Sequence, residues 1–302
     1  MDLRKNVFKL AESFMIESEM VSLDYERIEK LAQQMLSSDP PSFPLPPVDD
    51  VFIDDTFDGI IYELIASSIN YCYWYGNSNI RPNGASSTSM YNLMLNTINS
   101  TDVKTIIGIK TFNNNHLSQC IDKFERALCL NRFPLVEERI KHLNELKPHA
   151  INYCGKVLSK TNNLDKNTMK YLLNKLVELF PGFASDMFLK RAFLFFIQLY
   201  RRFGWFKEEL KNCPVPADYQ IPKMLNHFGC IKYHPLLDIS IVQSKIIPKH
   251  SRDECEIRSA TILAMRELCR LTGWNVADVD SYLFLRRHQV KKNFHLTITT
   301  DY

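Results

Sequence analysis

The stretch "SRDECEIRSATILAMRELCRLTGW", residues 251–274, constrains the fold more than any other part of the chain. Ser251 and Glu254 have the spacing of a capping box, Glu254 and Arg258 are placed for an intrahelical ion pair, and Gly273 is a natural stop. Between these signals Ile257, Thr261, Ala264, Leu268 and Leu271 form an inward stripe. A helix marked at both ends and apolar along its length must bury that face against other elements, which points to a fold built of packed helices.

The rest of the chain agrees. "SLDYERIEKLAQQML" carries Ile28, Leu31, Ala32, Met35 and Leu36 at helical spacing, with Ser22 or Asp24 to cap it. "LVEERIKHLNEL" and "LDKNTMKYLLNKLVELF" show the same amphipathic pattern, and "MYNLMLNTINS" and "NHLSQCIDKFERALCL" are further helical candidates. "DDTFDGIIYELIASSINYCYWYG" is dense in aromatic and branched residues, and Tyr62, Ile65, Ile69 and Tyr73 are read as one helical stripe. The proline-rich "SSDPPSFPLPPVDD" is an irregular segment that can still line a cleft, and "NSNIRPNGASSTS" and the Asn residues before His116 read as loops. Only "CIKYHPLLDISIVQ" and "FHLTITTD" look strand-like. The expected fold is mainly α, a single helical domain over residues 1–302 with at most minor β elements.

"SDMFLKRAFLFFIQLYRRFG" has apolar residues on all sides, so it belongs at the centre of the core, starting from a cap at Ser185 or Asp186 and ending near Gly204. Lys190 and Arg191 near its start must reach solvent or meet an anion. Arg191 is expected to pair with an acidic side chain, whereas Lys190 is the candidate for an anionic ligand.

Bulk properties exclude several classes. The 302 residues are 45% apolar and 24% charged, enough for a large core, with a net charge of +3 that is too near neutral for a dedicated nucleic-acid binder. "RRHQVKKNFH", the most basic short segment, is read as a solvated face. The eight cysteines form no C-x-x-C pair and the eight histidines no H-E-x-x-H, so neither a zinc cluster nor a disulfide framework is indicated and no metal or cofactor is expected. The first thirty residues lack a signal-like apolar segment and no stretch has the length of a membrane span, so the expected location is cytosolic or nuclear, away from membranes.

"PVPADYQIPKML", residues 214–225, holds Asp218 and Tyr219 between prolines, with Pro222 suited to a first helical turn. Asp218 is either a cap on that helix or a carboxylate held rigid for chemistry.

With these blocks in view the chain resembles the queuosine salvage family, whose members are queuosine 5'-phosphate N-glycosylases. "SINYCYW" at 68–74 is similar to the family's Asn-aromatic-x-Phe-Trp segment, and "FLKRA" at 188–192 to its Lys-Arg-Ala helix, with Phe193 where Gln is usual. "ADYQIPKML" resembles the Ala-Asp-Tyr-Arg-x-Pro-Gln signature, and "DECEIRSATILAMREL" the Glu-x-Glu-Ile-Arg helix, all in family order. The resemblance implies one helical domain distantly similar to helical DNA glycosylases, a deep cleft, and hydrolysis of the bond joining queuine to ribose 5-phosphate. The implied partners are a free nucleotide and the queuine product, with no stable nucleic-acid complex.

Cleaving that bond builds positive charge on the ribose and negative charge on the departing base. The resemblance makes Asp218 the carboxylate that stabilises the ribose centre or holds the attacking water. Asp280, with Asp278 as its rival, would grip the base, and Lys190 would meet the phosphate or the ribose hydroxyls. Asn70 would bind sugar or base, and Tyr219, Tyr71 or Trp74 could stack on the base. Pro216 stands where the family tends to place Phe, Ser281 and Phe284 replace an aromatic and Trp, and Leu285 stands where an acidic residue is usual, so base recognition is expected to differ. Competing readings are a related nucleotide glycosylase of different base specificity, a silent ligand-binding or interaction module, and a DNA glycosylase.

Overall fold

The computed structural model describes residues 2–43, 56–75, 86–99, 114–161, 165 and 167–302. The chain enters through α1 (Leu3–Ile16), the short strand β1 (Val21–Leu23) and α2 (Tyr25–Leu36), followed by α3 (Thr56–Ser68) and α4 (Ser87–Asn99). Next come α5 (Asn114–Leu130), α6 (Val136–Leu146), α7 (Ala150–Thr161), α8 (Thr168–Leu179) and the single turn α9 (Pro181–Ala184). The second half runs through α10 (Lys190–Phe203), α11 (Gln220–His227), β2 (Ile231–Tyr233), α12 (Pro235–Val242), α13 (Arg252–Thr272) and α14 (Val276–Arg286). The fold is mainly α; β1 and β2 form one antiparallel pair in which Ser22 faces Lys232.

Helix α13 is the axis around which the others are laid. Every residue from Glu254 to Met265 is buried, and α1, α2, α11 and α14 all pack on it. Its start is capped as its sequence suggests, with Ser251 Oγ accepting from the Glu254 N–H at 3.4 Å, while the Glu254 carboxylate accepts from the His250 N–H at 3.1 Å. Gly273 ends it at φ +71°, a conformation in which a Cβ would be strained. Helix α10 lies against α3 and is likewise buried from Lys190 to Phe193 and from Phe195 to Leu199.

Several expectations change. "PLLDISIV" is helix α12 rather than strand, because Pro235 sits at its first turn and the His234 ring nitrogen accepts from the Leu236 N–H at 3.3 Å, so local capping outweighs branched side chains. "FHLTITTD" is extended and, among the described residues, makes a single bridge, Leu296 with Ile246. Helix α3 ends at Ser68, leaving Ile69 and Tyr73 beyond the stripe to which they were assigned. Asn114 and Asn115 begin α5, and residues 87–89 begin α4; residues 77–85 and 44–50 of the expected loops lie outside the described residues. Asp24, not Ser22, caps α2.

The core contains a charged centre. Arg258 of α13 donates to both oxygens of Asp186 at 2.9 and 2.7 Å and reaches Glu254 at 3.3 Å, with all three side chains at most 1% exposed. Its Nε donates to the Ala217 carbonyl at 3.2 Å, and its guanidinium lies between the rings of Phe188 and Tyr302. Asp186 also accepts from the N–H groups of Phe188 at 3.0 Å and Lys190 at 2.8 Å, so it caps α10 as well. Burial pushes its carboxyl up, but Arg258 and these N–H groups outweigh burial and hold it below the usual carboxylate range. Among the described residues no helix is long and apolar enough to cross a membrane, and the eight cysteines are free thiols, of which only Cys129 is exposed.

Removing one member of this centre leaves an uncompensated buried charge. Arg258→Met is therefore expected to cost about 3–5 kcal/mol in urea unfolding, more than the double substitution Arg258→Met with Asp186→Leu. Equal losses in the two variants would show that the pair's charge is not what matters.

Candidate active site

Helix α10 presents Lys190, Leu194, Gln198 and Arg201 to one side at intervals of about one turn, and these residues form one wall of a cavity of about 670 Å³. The opposite walls come from Pro216, Asp218, Tyr219, Gln220 and Lys223 around the start of α11, and from Asp280, Phe284 and Leu285 of α14. Arg287, His288, Val290 and Phe294 close it from the C-terminal side, so the segment read as a solvated face contributes to the cavity. Phe43, from the proline-rich stretch, and Asn70, Tyr71 and Tyr73, just past α3, also line it, with Tyr91 and Asn92 of α4 and Tyr302.

Asp218 makes the capping bonds expected of it and also lines the cavity. Oδ1 accepts from the N–H groups of Gln220 at 2.7 Å and Ile221 at 3.2 Å, satisfying two donors at the start of α11. Among the described residues no donor reaches Oδ2, and the residue lines the cavity. The backbone is held from behind by Arg258 at the preceding carbonyl of Ala217. Burial raises the Asp218 carboxyl above its ordinary value, with Lys190 and the two N–H groups acting in the opposite direction. Lys190 is 3% exposed; burial pulls its ammonium down to about 8 against the attraction of Asp218.

Lys190 also donates to the Asn70 carbonyl at 2.8 Å, one bond of a larger arrangement. Arg191 donates to Ser68 O, Arg139 to Ile69 O, and Arg139 again to the carbonyls of Tyr71 at 2.5 Å and Cys72 at 2.6 Å. Every carbonyl from Ser68 to Cys72 thus accepts from a buried cation, which satisfies the end of α3 and fixes an irregular turn in which Cys72 has φ +22°. The acidic partner expected for Arg191 is replaced by carbonyl oxygens and the His142 ring. Because an arginine can only donate, its 3.2 Å approach makes His142 Nδ1 an acceptor, and the Tyr71 hydroxyl at 3.1 Å donates to the same nitrogen. Burial, followed by the surrounding cations, lowers His142 to about 3, so the ring is neutral.

At the other end of the α10 wall, Arg201 donates to Asp280 Oδ2 at 2.7 Å, Ser281 Oγ at 3.0 Å and Gln198 Oε1 at 3.1 Å. Gln198 in turn donates to the Tyr91 hydroxyl at 2.9 Å. Burial raises the Asp280 carboxyl, Arg201 lowers it, and Asp218 raises it again. Asp278, the rival carboxylate, is turned away to Tyr200 and Asn275.

The structure therefore brings Asn70, Lys190, Pro216, Asp218, Tyr219 and Asp280 onto one cavity. Ser281 is corrected to a position behind the wall, where its hydroxyl holds Arg201 and donates to the Ala277 carbonyl at 2.6 Å. Asn70 uses Oδ1 to accept from Tyr73 at 3.2 Å. Tyr219 lines the cavity with Phe294, their ring centroids 4.6 Å apart, while Trp74 supports Tyr219 edge-on from the core at 4.7 Å. Arg201, Gln198, Phe43 and Lys223 were not foreseen; the four-residue rhythm from Lys190 through Leu194 to Gln198 was the signal available for α10. Among the described residues no group of three or more His, Cys, Asp and Glu side chains is placed to hold a metal ion.

Comparison with known proteins fits this arrangement. The chain is 29% identical over 163 residues to the queuosine 5'-phosphate N-glycosylase/hydrolase of Sphaerobacter thermophilus, covering 49% of this chain and 50% of that protein. A protein of the same name from Dictyostelium discoideum is 24% identical over 220 residues, 68% of this chain and 64% of its own length. The Bos taurus protein of that name is 28% identical over 143 residues, 43% of this chain and 41% of its own. The chain spans about half the length of the curated relatives it matches, somewhat more for the Dictyostelium protein. The family model described as queuosine salvage protein matches residues 54–299, which include the cavity-lining segments just past α3 and on α10, α11 and α14, and the chain belongs to that family.

Proposed function

We propose that the protein hydrolyses the N-glycosidic bond of queuosine 5'-phosphate and releases queuine. The observation that carries this reading is Asp218: one carboxylate oxygen is locked by backbone N–H groups while the other is left to the cavity beside a buried lysine. A carboxylate so fixed cannot rotate away from a cation that develops next to it, and it needs no reorganisation as that charge grows. In this reading Asp218 faces the anomeric carbon and stabilises the oxocarbenium-like centre or orients the attacking water.

In this reading Lys190 opposes the upward push of burial on the Asp218 carboxyl and meets the ribose hydroxyls. The lining holds Lys190, Arg201, Lys223 and Arg287 against Asp218 and Asp280, an excess of positive charge that suits a substrate carrying a phosphate. Tyr219 and Phe294, or Phe43 and Phe284 with centroids 5.9 Å apart, offer faces to a flat base. Pro216, buried on the wall, supplies a small apolar contact in place of a ring. A related nucleotide glycosylase of different base preference is the second reading, favoured by the engagement of Asp280 with Arg201.

Incubation of the purified protein with queuosine 5'-phosphate is expected to yield free queuine by mass spectrometry. Asp218→Asn should reduce kcat/KM about 10²- to 10³-fold. Unphosphorylated queuosine should be roughly tenfold poorer or worse, since remote binding energy is lost. Absence of queuine from folded wild-type protein would remove this substrate.

The pH profile of kcat/KM should be bell-shaped. Activity rises as Asp218 ionises, at a pH above that of an ordinary carboxylate because burial disfavours its charge, and falls through about 8 as Lys190 loses its proton. Lys190→Arg, which stays protonated, should move the alkaline limb upward; an unmoved limb would show that Lys190 is not its source.

A further inference from the structure

The hydrogen bonds that run from Arg201 through Gln198 to Tyr91 have a fixed direction. An arginine side chain carries donors and no acceptor, so the Gln198 atom 3.1 Å from Arg201 Nη1 is the amide oxygen. That turns the amide nitrogen of Gln198 toward Tyr91, whose hydroxyl oxygen accepts from it at 2.9 Å. Tyr91 therefore receives a bond at its oxygen and keeps its own proton to give elsewhere.

Among the described residues no acceptor takes that proton. The Glu63 carboxylate does not: one oxygen accepts from Arg202 at 2.9 and 2.5 Å, and the other, though buried, has no donor. Tyr71, another tyrosine of the lining, spends its proton on His142. Tyr91 is 8% exposed, lines the cavity and packs its ring against Tyr62, with centroids 5.9 Å apart. Burial, followed by the influence of Glu63, pushes its hydroxyl above the ordinary range, so it remains an O–H donor. A nearly buried donor with no acceptor is costly until a partner enters, and at a cavity wall that partner is an acceptor atom of the ligand.

We propose that Tyr91 is a substrate-binding hydrogen-bond donor, and that Gln198, itself oriented by Arg201, is the positioning residue that holds it in the donor sense. The inference rests on the N-glycosylase reading for the identity of the ligand. Both halves of that ligand bear acceptors: the base has a carbonyl oxygen and ring nitrogens, and ribose 5-phosphate has sugar and phosphate oxygens. Hydrolysis separates these halves, so each is a probe of its own.

The test is calorimetric titration of queuine and of ribose 5-phosphate, neither of which is consumed, into wild-type protein, Tyr91→Phe, Gln198→Glu and the double variant, with folding checked by thermal unfolding. Tyr91→Phe keeps the ring and removes the donor. It should weaken one of the two ligands, about three- to tenfold where the acceptor is a neutral base or sugar atom and about 10- to 100-fold where it is the phosphate, and change the other by less than about twofold. Gln198→Glu puts an acceptor where the amide nitrogen stood; it takes the Tyr91 proton and leaves hydroxyl lone pairs toward the ligand. The same ligand should weaken at least as much as in Tyr91→Phe. In the Tyr91→Phe background the effect of Gln198→Glu should shrink to about twofold or less, whereas an effect of charge or packing alone would persist at full size. Equal weakening of both ligands, no change for either in folded Tyr91→Phe, a full-size effect of Gln198→Glu in both backgrounds, or no binding of either ligand by folded wild-type protein would overturn the proposal. Failure of the hydrolase reading is seen separately, as absence of queuine release from queuosine 5'-phosphate while the titration pattern is retained.

Discussion

The pairing of Asp186 with Arg258 is the interaction on which the site depends. Through α13 it joins two parts of the chain that each carry a cavity residue. Asp186 receives the N–H of Lys190 and so sets where α10 begins; Arg258 holds the carbonyl of Ala217 and so sets where Asp218 stands. Both belong to a charged centre that costs desolvation to bury and is stable only because every donor and acceptor is matched with good geometry. A hydrophobic replacement could fill the same space, but it could not offer a bidentate fork to one segment and a third bond to another. The catalytic carboxylate proposed here and its lysine are thereby registered against one another by groups that never enter the cavity.

Charge is distributed unevenly around that centre. Asp186 and Glu254 share Arg258 on the inner side, whereas Arg139 and Arg191 behind the cavity direct their hydrogen bonds to carbonyl oxygens rather than to carboxylates. The same cavity carries a carboxylate bonded to backbone N–H groups and a carboxylate paired with Arg201. Two residues of the same type are thus given different surroundings by their neighbours.

Local signals made much of the framework legible. Ser251, Gly273, Gly204 and the stripe on α2 are features that act within one or two turns, and each stands where its neighbours in sequence indicate. Asp218, Lys190 and Asp280, singled out through the resemblance, line one cavity. What escaped were contacts between distant segments. Arg139 is about seventy residues from the carbonyls it serves, and nothing in "LVEERIKHLNEL" distinguishes it from an exposed helical arginine. Arg201 sits in a pair of arginines at a helix end, where a solvated role is the ordinary one. "PLLDISIV" misled for the opposite reason: its branched residues suit a strand, but a proline and a capping ring at its start decide the matter locally.

The turn from Ser68 to Cys72 also links the order of folding to the appearance of the cavity. It has no ladder or helical register of its own, and the donors that define it arrive from α6 and α10, far along the chain. Such non-local closure is slow relative to helix formation and is lost early when distant elements separate. A partly assembled chain that holds native helices still has no binding wall, because the peptide groups behind Asn70 and Tyr71 face water instead of cations. Competence for ligand is therefore a property of the completed tertiary structure, acquired in its last steps rather than built up helix by helix.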